Sequence, residues 1–191
     1  MQPFPQRISV APMMGWTDRH FRFFMRQISA RATLYSEMLA PEAIVLGKKE
    51  RHTAYHPAEH PVVFQLGGSD PKMLAQACQK LERLGYDEVN LNVGCPSKTG
   101  QHRPYGAHLF PLPHKVKECL TAMQEAVAIP ISIKTRIGVD QHEGYEPLAE
   151  FVGIVEESGC RRFTIHARKA WLKGLSTREN REIPPLRYDL V

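Results

Sequence analysis

Short apolar runs alternate with helix-like stretches along this chain, and that alternation constrains the fold more than any other feature. Several of the runs are almost continuously apolar, as strands buried on both faces of a parallel sheet are. Six strands are predicted, over Arg7–Met13, Thr33–Met38, Pro61–Leu66, Glu88–Val93, Pro130–Thr135 and Arg162–His166. Strands that alternate with helices predict an α/β fold with a parallel sheet and right-handed crossovers.

Four stretches between these runs have helical patterns, namely Thr17–Ser29, Asp70–Leu84, Pro113–Val127 and Glu146–Ser158. The second has clear start and stop signals, because Asp70 precedes Pro71 and Gly85 follows the last apolar position. Proline is favoured in the first turn of a helix and glycine just past its end. The first stretch opens with Thr17 as its candidate N-cap.

Two wound architectures are compatible with this order of elements. A doubly wound dinucleotide-binding sheet needs a GxGxxG turn after its first strand, and the segment 11–15 (APMMG) does not have one. Polar or reactive residues instead lie at or just past the C-terminal ends of the strands: Met13, Glu37, Gln65, Asn92, Cys95, Lys134, Arg136, His166 and Arg168. Such strand ends converge in a TIM-type (β/α)8 barrel. We therefore predict an α/β TIM-type barrel of which only about six βα units are present, since such a barrel closes with eight strands.

Composition excludes several classes of protein. The chain is 42% hydrophobic and 24% charged, as ordinary globular proteins are, and no apolar run approaches the ~20 residues of a membrane span. Its four cysteines are widely spaced without a CxxC pair, which favours reduced thiols over disulfides or zinc. We expect a cytoplasmic protein without a metal site or a membrane partner.

The net charge of +5 is confined to the end of the chain. Residues 161–191 contain 8 of the 25 basic side chains and 3 of the 20 acidic ones, so the rest of the chain is neutral. A basic segment of this kind is either an electrostatic footprint for phosphates or a solvated, unstructured end.

The segment 91–97 (LNVGCPS) contains the most reactive candidate, Cys95. A cysteine just past a buried strand and followed by proline lies in a turn at the mouth of the predicted barrel. Its thiol can protonate a carbon centre, or attack one as a thiolate. The alternative is an inert, half-buried cysteine, which is common because free cysteine is among the most buried residue types.

Five motifs in one order carry a resemblance to a known family. They are APM at the first strand, FQLGG at 64–68, LNVGCPS at 91–97, KTRIG at 134–138 and HARKAWLKGLSTRENREIPPL at 166–186. Together they resemble the tRNA-dihydrouridine synthases, and among these the bacterial A-type subgroup. The resemblance implies an oxidoreductase that reduces uridine to 5,6-dihydrouridine in the D-loop of tRNA, with FMN as cofactor and NADPH as reductant.

The resemblance also implies roles for individual residues. Cys95 is then the catalytic acid that gives a proton to uracil C5, while reduced FMN gives hydride to C6. The implied FMN-binding residues are Pro12, Met13, Met14, Gln65, Lys134 and His166. The implied tRNA-binding residues are Asn92, Arg178 and Arg181. On this basis, residues 1–191 form an incomplete FMN-binding barrel domain whose residues 167–191 are a basic, tRNA-contacting loop segment.

Members of this family have two further strands and a helical C-terminal domain, so the resemblance implies that this chain lacks both. The glycine-rich turns that hold the FMN phosphate follow those strands, and we expect residues 1–191 alone to be inactive. Two alternatives to the enzyme remain at this point. One is an inactive fragment with weak tRNA binding, and the other is a flavin barrel dehydrogenase that acts on a free pyrimidine. The basic terminal segment argues against the latter.

Overall fold

The structure, a computed structural model, describes residues 8–47, 50–97 and 104–191. Six parallel strands form one sheet in which each strand is hydrogen-bonded to the next one in sequence. The strands are β1 (Ser9–Val10), β2 (Thr33–Leu39), β3 (Val62–Leu66), β4 (Glu88–Val93), β5 (Ile131–Arg136) and β6 (Phe163–His166). The helices are α1 (Arg19–Ile28), α2 (Pro41–Val45), α3 (Pro71–Arg83), α4 (Pro113–Ala126), α5 (Tyr145–Glu156) and α6 (Glu179–Glu182).

The strand order distinguishes the two wound architectures. A doubly wound sheet reverses its order at a switch point, whereas this sheet runs from β1 to β6 without reversal. The sheet is also curled, because the Tyr35 side chain on β2 lies near Thr164 on β6 and Ser132 on β5, two strands that are not its neighbours in the sheet. The fold is therefore an α/β TIM-type barrel arc with six strands, as predicted.

The outer face of the sheet packs against helices and forms the hydrophobic core. On β4 and β5 this face presents Val89, Leu91, Val93, Ile131 and Ile133. The helices contribute buried side chains to the same cluster, among them Leu74, Ala77, Leu81, Val116, Leu120, Met123, Leu148 and Phe151. Alternate residues of a strand point to opposite faces, so the residues between these apolar ones line the inside of the arc.

Helix α3 begins and ends as its sequence signals predict. The Asp70 side chain accepts hydrogen bonds from the backbone N–H groups of Lys72 and Met73, and Pro71 occupies the first turn. After the helix, Gly85 has a φ of +89°, and a Cβ there would stand 2.7 Å from the Tyr55 hydroxyl. Glycine is required at this position both for its backbone conformation and for the close approach.

Two local predictions differ from the structure, and one short helix lies outside the predicted helical stretches. The N-cap of α1 is Asp18 and not Thr17, because the Asp18 carboxylate accepts from His20 and Phe21 whereas the Thr17 hydroxyl bonds to the Met13 carbonyl. Strand β1 covers only Ser9–Val10 of the predicted Arg7–Met13, whose first residue lies outside the described part of the chain. The short helix α2 after β2 was not predicted.

Candidate active site

The predicted site residues of β3 to β6 meet at the carboxyl ends of these strands. Asn92 on β4 is in register with Lys134 on β5, and Arg136 on β5 is in register with His166 on β6. Gln65 on β3 donates to Asn90, and its carbonyl oxygen accepts from Asn92 at 2.9 Å. Because a parallel sheet aligns its strands, neighbouring units bring their final residues to one edge.

Cys95 lies in the turn after β4, and its backbone is held on two sides. Its N–H donates to Asn92 Oδ1 at 2.9 Å, and its carbonyl accepts from the Ala107 N–H at 2.9 Å. Gly106 allows this approach, since a Cβ there would stand 2.3 Å from the Cys95 carbonyl oxygen. Burial raises the pKa of the Cys95 thiol, while a backbone hydrogen bond at Ser97 and the charges of Arg136 and Arg181 act in the opposite direction. The group is therefore a protonated thiol at neutral pH.

Lys134 is a cation at the same strand end. Burial lowers its pKa to about 8, and the nearby charge of Arg136 acts in the same direction. Within residues 8–47, 50–97 and 104–191, no carboxylate forms a salt bridge with it. A desolvated ammonium without a carboxylate partner is suited to bind a negatively polarised group of a ligand.

His166 ends β6 and faces several cations. Burial lowers its pKa to about 4, and the charges of Arg136, Lys134, Arg168 and Arg181 contribute further. The imidazole is therefore neutral at pH 7, with one ring nitrogen as donor and the other as acceptor. Two of these cations, Arg136 and Arg168, are among the residues that the sequence placed at the strand ends.

Arg136 connects three segments of the site. It is 4% exposed, and its guanidinium donates to the carbonyls of Gly94 at 2.8 Å, Lys169 at 3.1 Å and Asn180 at 3.0 Å. Burial lowers the pKa of Arg136 to about 10, which still leaves it charged at neutral pH. It ties the Cys95 turn to the segment after β6.

Asn180 is a structural residue of this site that the sequence analysis missed. It is fully buried, and its side-chain amide accepts from the Trp171 N–H and donates to the Trp171 and Ser176 carbonyls. These bonds fix the loop that leads from β6 to α6. Its only signal in the sequence is an asparagine within a charged run (STRENRE), which by itself indicates a solvated helix.

The segment 167–191 is folded and is not an unstructured end. Helix α6 is followed by a 3-10 turn at Tyr188–Leu190, and the Arg168 guanidinium donates to the Pro184 carbonyl. Arg181 lies close enough to Cys95 to affect its thiol, whereas Arg178 is 79% exposed and forms a salt bridge with Glu182. Of the two predicted tRNA-binding arginines, Arg181 alone acts electrostatically on the Cys95 thiol.

A crevice opens between the Cys95 turn and this segment. Its volume is about 440 Å³, and its walls are formed by Pro96, Ser97, Gly174, Leu175, Ser176 and Thr177. The crevice adjoins the Cys95 turn through Pro96 and Ser97.

The predicted residues of the first unit lie on an exposed turn. Pro12 is half-buried, whereas Met13 and Met14 are 39% and 62% exposed. The turn is tied to β2 by a hydrogen bond from the Gly15 N–H to Glu37 Oε1 at 2.6 Å. Because β1 and β6 are the first and last strands of the sheet, this turn and His166 lie at opposite ends of the arc.

Other features of the described residues bear on the expected site. Cys78, Cys119 and Cys160 are buried, so Cys95 is the one cysteine in the described ranges with appreciable exposure, and none forms a disulfide. No group of three or more His, Cys, Asp or Glu side chains in the described ranges is arranged to hold a metal ion. In the same part of the chain, no helix has the length and apolar character needed to cross a membrane.

Comparison with known proteins shows which proteins this chain is similar to. The chain is 53% identical over 184 residues to a tRNA-dihydrouridine(20/20a) synthase of Synechocystis sp., with 96% of this chain and 55% of the relative covered. It is 55% identical over 183 residues to the protein of the same name from Vibrio vulnificus, covering 95% of this chain and 56% of the relative. The chain thus spans about half the length of the curated relatives it matches.

A solved structure and a family model complete the comparison. A protein described as a deoxyribose-phosphate aldolase from Toxoplasma gondii ME49 superposes with a TM-score of 0.51 at 11% identity, over 92% of this chain and 68% of that one. This likeness concerns the fold alone. The model of the dihydrouridine synthase family (Dus) matches residues 9–191. This chain therefore belongs to the dihydrouridine synthase family.

Proposed function

We propose that this chain contributes the uridine-reducing site of a tRNA-dihydrouridine synthase that uses FMN and NADPH. The observation that carries the proposal is the position of Cys95, a protonated thiol just past the carboxyl end of β4 and close to the charges of Arg136 and Arg181. Lys134 and His166 lie at the carboxyl ends of the two following strands. A proton donor beside unpaired cationic charge is what the addition of hydride and proton to a polarised double bond requires.

The side chains at the strand ends have the chemistry needed to hold FMN. The isoalloxazine ring carries carbonyl oxygens and ring nitrogens, so it needs donors, acceptors and a charge that balances the reduced form. Lys134 offers a cation that has no carboxylate partner among the residues that the structure describes, and His166 is a neutral imidazole. The bonds of Gln65 to Asn90 and Asn92 leave its amide one N–H donor and one acceptor lone pair. At the other end of the arc, an apolar surface is formed by Pro12, Met13 and Met14.

Cys95 supplies the proton in this proposal. When bound and reduced, FMN would supply the hydride that is added to uracil C6. The Cys95 Sγ–H bond then breaks as the C5–H bond forms, and the sulfur keeps the electron pair as a thiolate. Burial keeps the proton on sulfur before the reaction, and the charges of Arg136 and Arg181 stabilise the thiolate that is left.

The tRNA would lie against the basic segment 167–191. This segment brings Arg181 towards Cys95 and displays Arg178 on its outer side. Guanidinium groups bind phosphates and base edges, and an asparagine such as Asn92 can bind an extruded base. Since tRNA is the substrate, we place the protein in the cytoplasm.

The proposal is tested by an assay for dihydrouridine. Two proteins are compared, residues 1–191 and an "extended chain" in which residues 1–191 are continued by the remaining segment of the Synechocystis relative. Each is incubated with FMN, NADPH and unmodified tRNA, or with free uridine in place of tRNA. The proposal predicts that the extended chain forms dihydrouridine in tRNA and not from free uridine. Absence of product from tRNA with both proteins, or preference for free uridine, would refute it.

A further inference from the structure

Polar side chains inside the arc form one continuous hydrogen-bond network from the start of β4 to its end. Glu88 accepts from the Ser132 hydroxyl, which accepts from Asn90 Nδ2 at 2.8 Å. Asn90 Oδ1 accepts from Gln65 Nε2 at 2.8 Å. The remaining links are Asn92 Nδ2 to Gln65 Oε1 at 2.9 Å, and the N–H groups of Gly94 and Cys95 to Asn92 Oδ1 at 3.0 and 2.9 Å. We call these residues the interior network.

The two ends of the interior network fix its direction. Backbone N–H groups can only donate, so the atom of Asn92 that faces Gly94 and Cys95 must be its oxygen. The Asn92 NH2 group then faces Gln65, and each later link is determined in turn. At the other end, Glu88 accepts from the Ser132 hydroxyl and from the Arg162 guanidinium, which agrees with the same direction. Glu88 also forms a salt bridge with Arg162, which holds it in place.

We propose that Asn90, Ser132 and Glu88 are positioning residues that act on Cys95 through Gln65 and Asn92. All three are almost completely buried, at 0%, 1% and 2% exposure, and their side chains bond within the interior network and not to the Cys95 turn itself. Their effect on Cys95 is to keep the two amides in one orientation. An amide that is free to flip would present NH2 to the Cys95 N–H and push the turn away.

The direction of the network also defines what Asn92 can offer a substrate. Its oxygen already accepts from two N–H groups, and one of its two N–H bonds is used on Gln65. Among the described residues, Asn92 therefore has one N–H left and no uncommitted lone pair. It would bind a carbonyl oxygen of the base and not an N–H group. This conclusion about the substrate rests on the proposed function, whereas the positioning of Cys95 does not.

Alkylation of Cys95 measures the positioning without catalysis. The rate of its reaction with iodoacetamide is followed by mass spectrometry of the Cys95 peptide in the 191-residue chain, for Ser132→Ala and Asn90→Leu. We expect either variant to alkylate about fivefold faster, which is the shift in population that corresponds to about one net hydrogen bond. Thr135→Val is the control, because Thr135 is fully buried on β5 like Ser132 but, within the described part of the chain, bonds only to the Val93 and Arg136 carbonyls. Ser132→Thr retains the hydroxyl and should return the rate to that of the parent.

Activity is measured separately in the extended chain. Ser132→Ala should lower kcat about fivefold without changing KM for tRNA, since the loss of one net hydrogen bond affects the placement of the proton donor and not tRNA binding. Unchanged alkylation in both network variants, or an equal increase in Thr135→Val, would overturn the positioning role even if dihydrouridine is formed. A third outcome is that the network variants alkylate faster than the parent, while the parent forms no dihydrouridine. That outcome would support the network and refute the proposed function.

Discussion

The two faces of β4 differ in polarity, although their residues alternate along one strand of six residues. Val89, Leu91 and Val93 are completely buried in the apolar cluster between sheet and helices. Glu88, Asn90 and Asn92 are almost as buried, but they lie inside the arc, where each is hydrogen-bonded to another polar side chain. The outer face contributes apolar burial, which is the largest favourable term in folding. The inner face contributes a fixed arrangement of donors and acceptors.

Within a single strand, the outer face therefore contributes to the stability of the fold and the inner face to the chemistry of the site. A buried polar group costs free energy unless it is paired, and the interior network leaves no member without a partner. Among the described residues, the buried side-chain atoms without a partner are Arg26 Nε and Thr33 Oγ1, and neither belongs to the network. Substitutions on the two faces should therefore have different effects on stability and on chemistry.

Substitution of Cys95 should give the largest effect. In the extended chain, Cys95→Ala removes the proton donor, and a positioned general acid contributes about 10²–10⁴-fold to a rate. We expect dihydrouridine formation to fall by that factor while the reduction of bound flavin by NADPH, followed by visible absorbance, is unaffected. The melting temperature should change little because Cys95 is only partly buried. An alanine variant that forms dihydrouridine at nearly the parental rate would show that Cys95 is not the donor.

Leu91→Ala tests the outer face of the same strand. Leu91 is completely buried between β4 and the helices, and such a truncation lowers the free energy of unfolding by about 3 kcal/mol. Urea denaturation of the 191-residue chain measures this loss, with the exposed Leu112→Ala as the control. If Leu91→Ala costs no more than the control, the helix-facing cluster is not the main source of stability.

Lys134 should make FMN binding dependent on pH. Its pKa is lowered to about 8, so it is a cation below pH 8 and becomes neutral above it. FMN affinity of the extended chain should then decrease above pH 8, by up to about tenfold per pH unit, as expected when one proton is linked to binding. Lys134→Arg keeps its charge and should show no such decrease, whereas Lys134→Met should bind weakly at every pH. A pH dependence that persists in Lys134→Met would assign it to another group.

The same shift in pKa has a consequence for stability. Since the folded-state pKa of Lys134 lies below the ordinary value of about 10.4, the unfolded chain binds more protons between pH 8 and that value. The contribution of Lys134 to the free energy of unfolding therefore rises with pH across this window. A bound anion should reduce this slope by raising the pKa.

The two arginines of the basic segment should give the smallest effects. Arg181→Ala and Arg178→Ala should each reduce the slope of log Kd for tRNA against log salt by about 1, if each contacts one phosphate. The two variants differ at Cys95, because Arg181 lowers the pKa of the thiol and Arg178 is not among the groups that do. Only Arg181→Ala should raise that pKa, as read from the pH dependence of alkylation. Equal thiol pKa values in both variants would contradict the arrangement of this segment.

Much of the fold could be predicted because the signals lie close together in sequence. Asp70, Pro71 and Gly85 define α3 within a single window, and the ends of β3 to β6 lie within one residue of their predicted positions. The N-cap of α1 was assigned wrongly because Thr17 and Asp18 are both good capping residues and adjacent. They are distinguished by the turn at Met13, whose carbonyl accepts a hydrogen bond from the Thr17 hydroxyl.

The site was less predictable because its contacts join distant segments. Asn90 and Ser132 are separated by 42 residues, and only the register of β4 with β5 brings them together. The sequence around Asn180 indicates a surface residue, whereas the structure shows that it contacts Arg136 and Trp171. The roles of Cys95, Gln65, Lys134 and His166 came from the resemblance to the family and stay predictions, although the structure brings these residues to one edge.

Hydrogen exchange at the Cys95 amide tests the separation of the two faces most directly. Leu91→Ala and Asn92→Ala change neighbouring residues of β4 that point to opposite faces, and exchange of every backbone amide of the 191-residue chain is compared for both. Asn92→Ala should accelerate exchange at Gly94 and Cys95 by about fivefold or more, since it removes their acceptor, and leave the helices protected. Leu91→Ala should lower protection throughout the core without a selective change at Cys95. Selective acceleration at Cys95 in Leu91→Ala, or none in Asn92→Ala, would contradict the account.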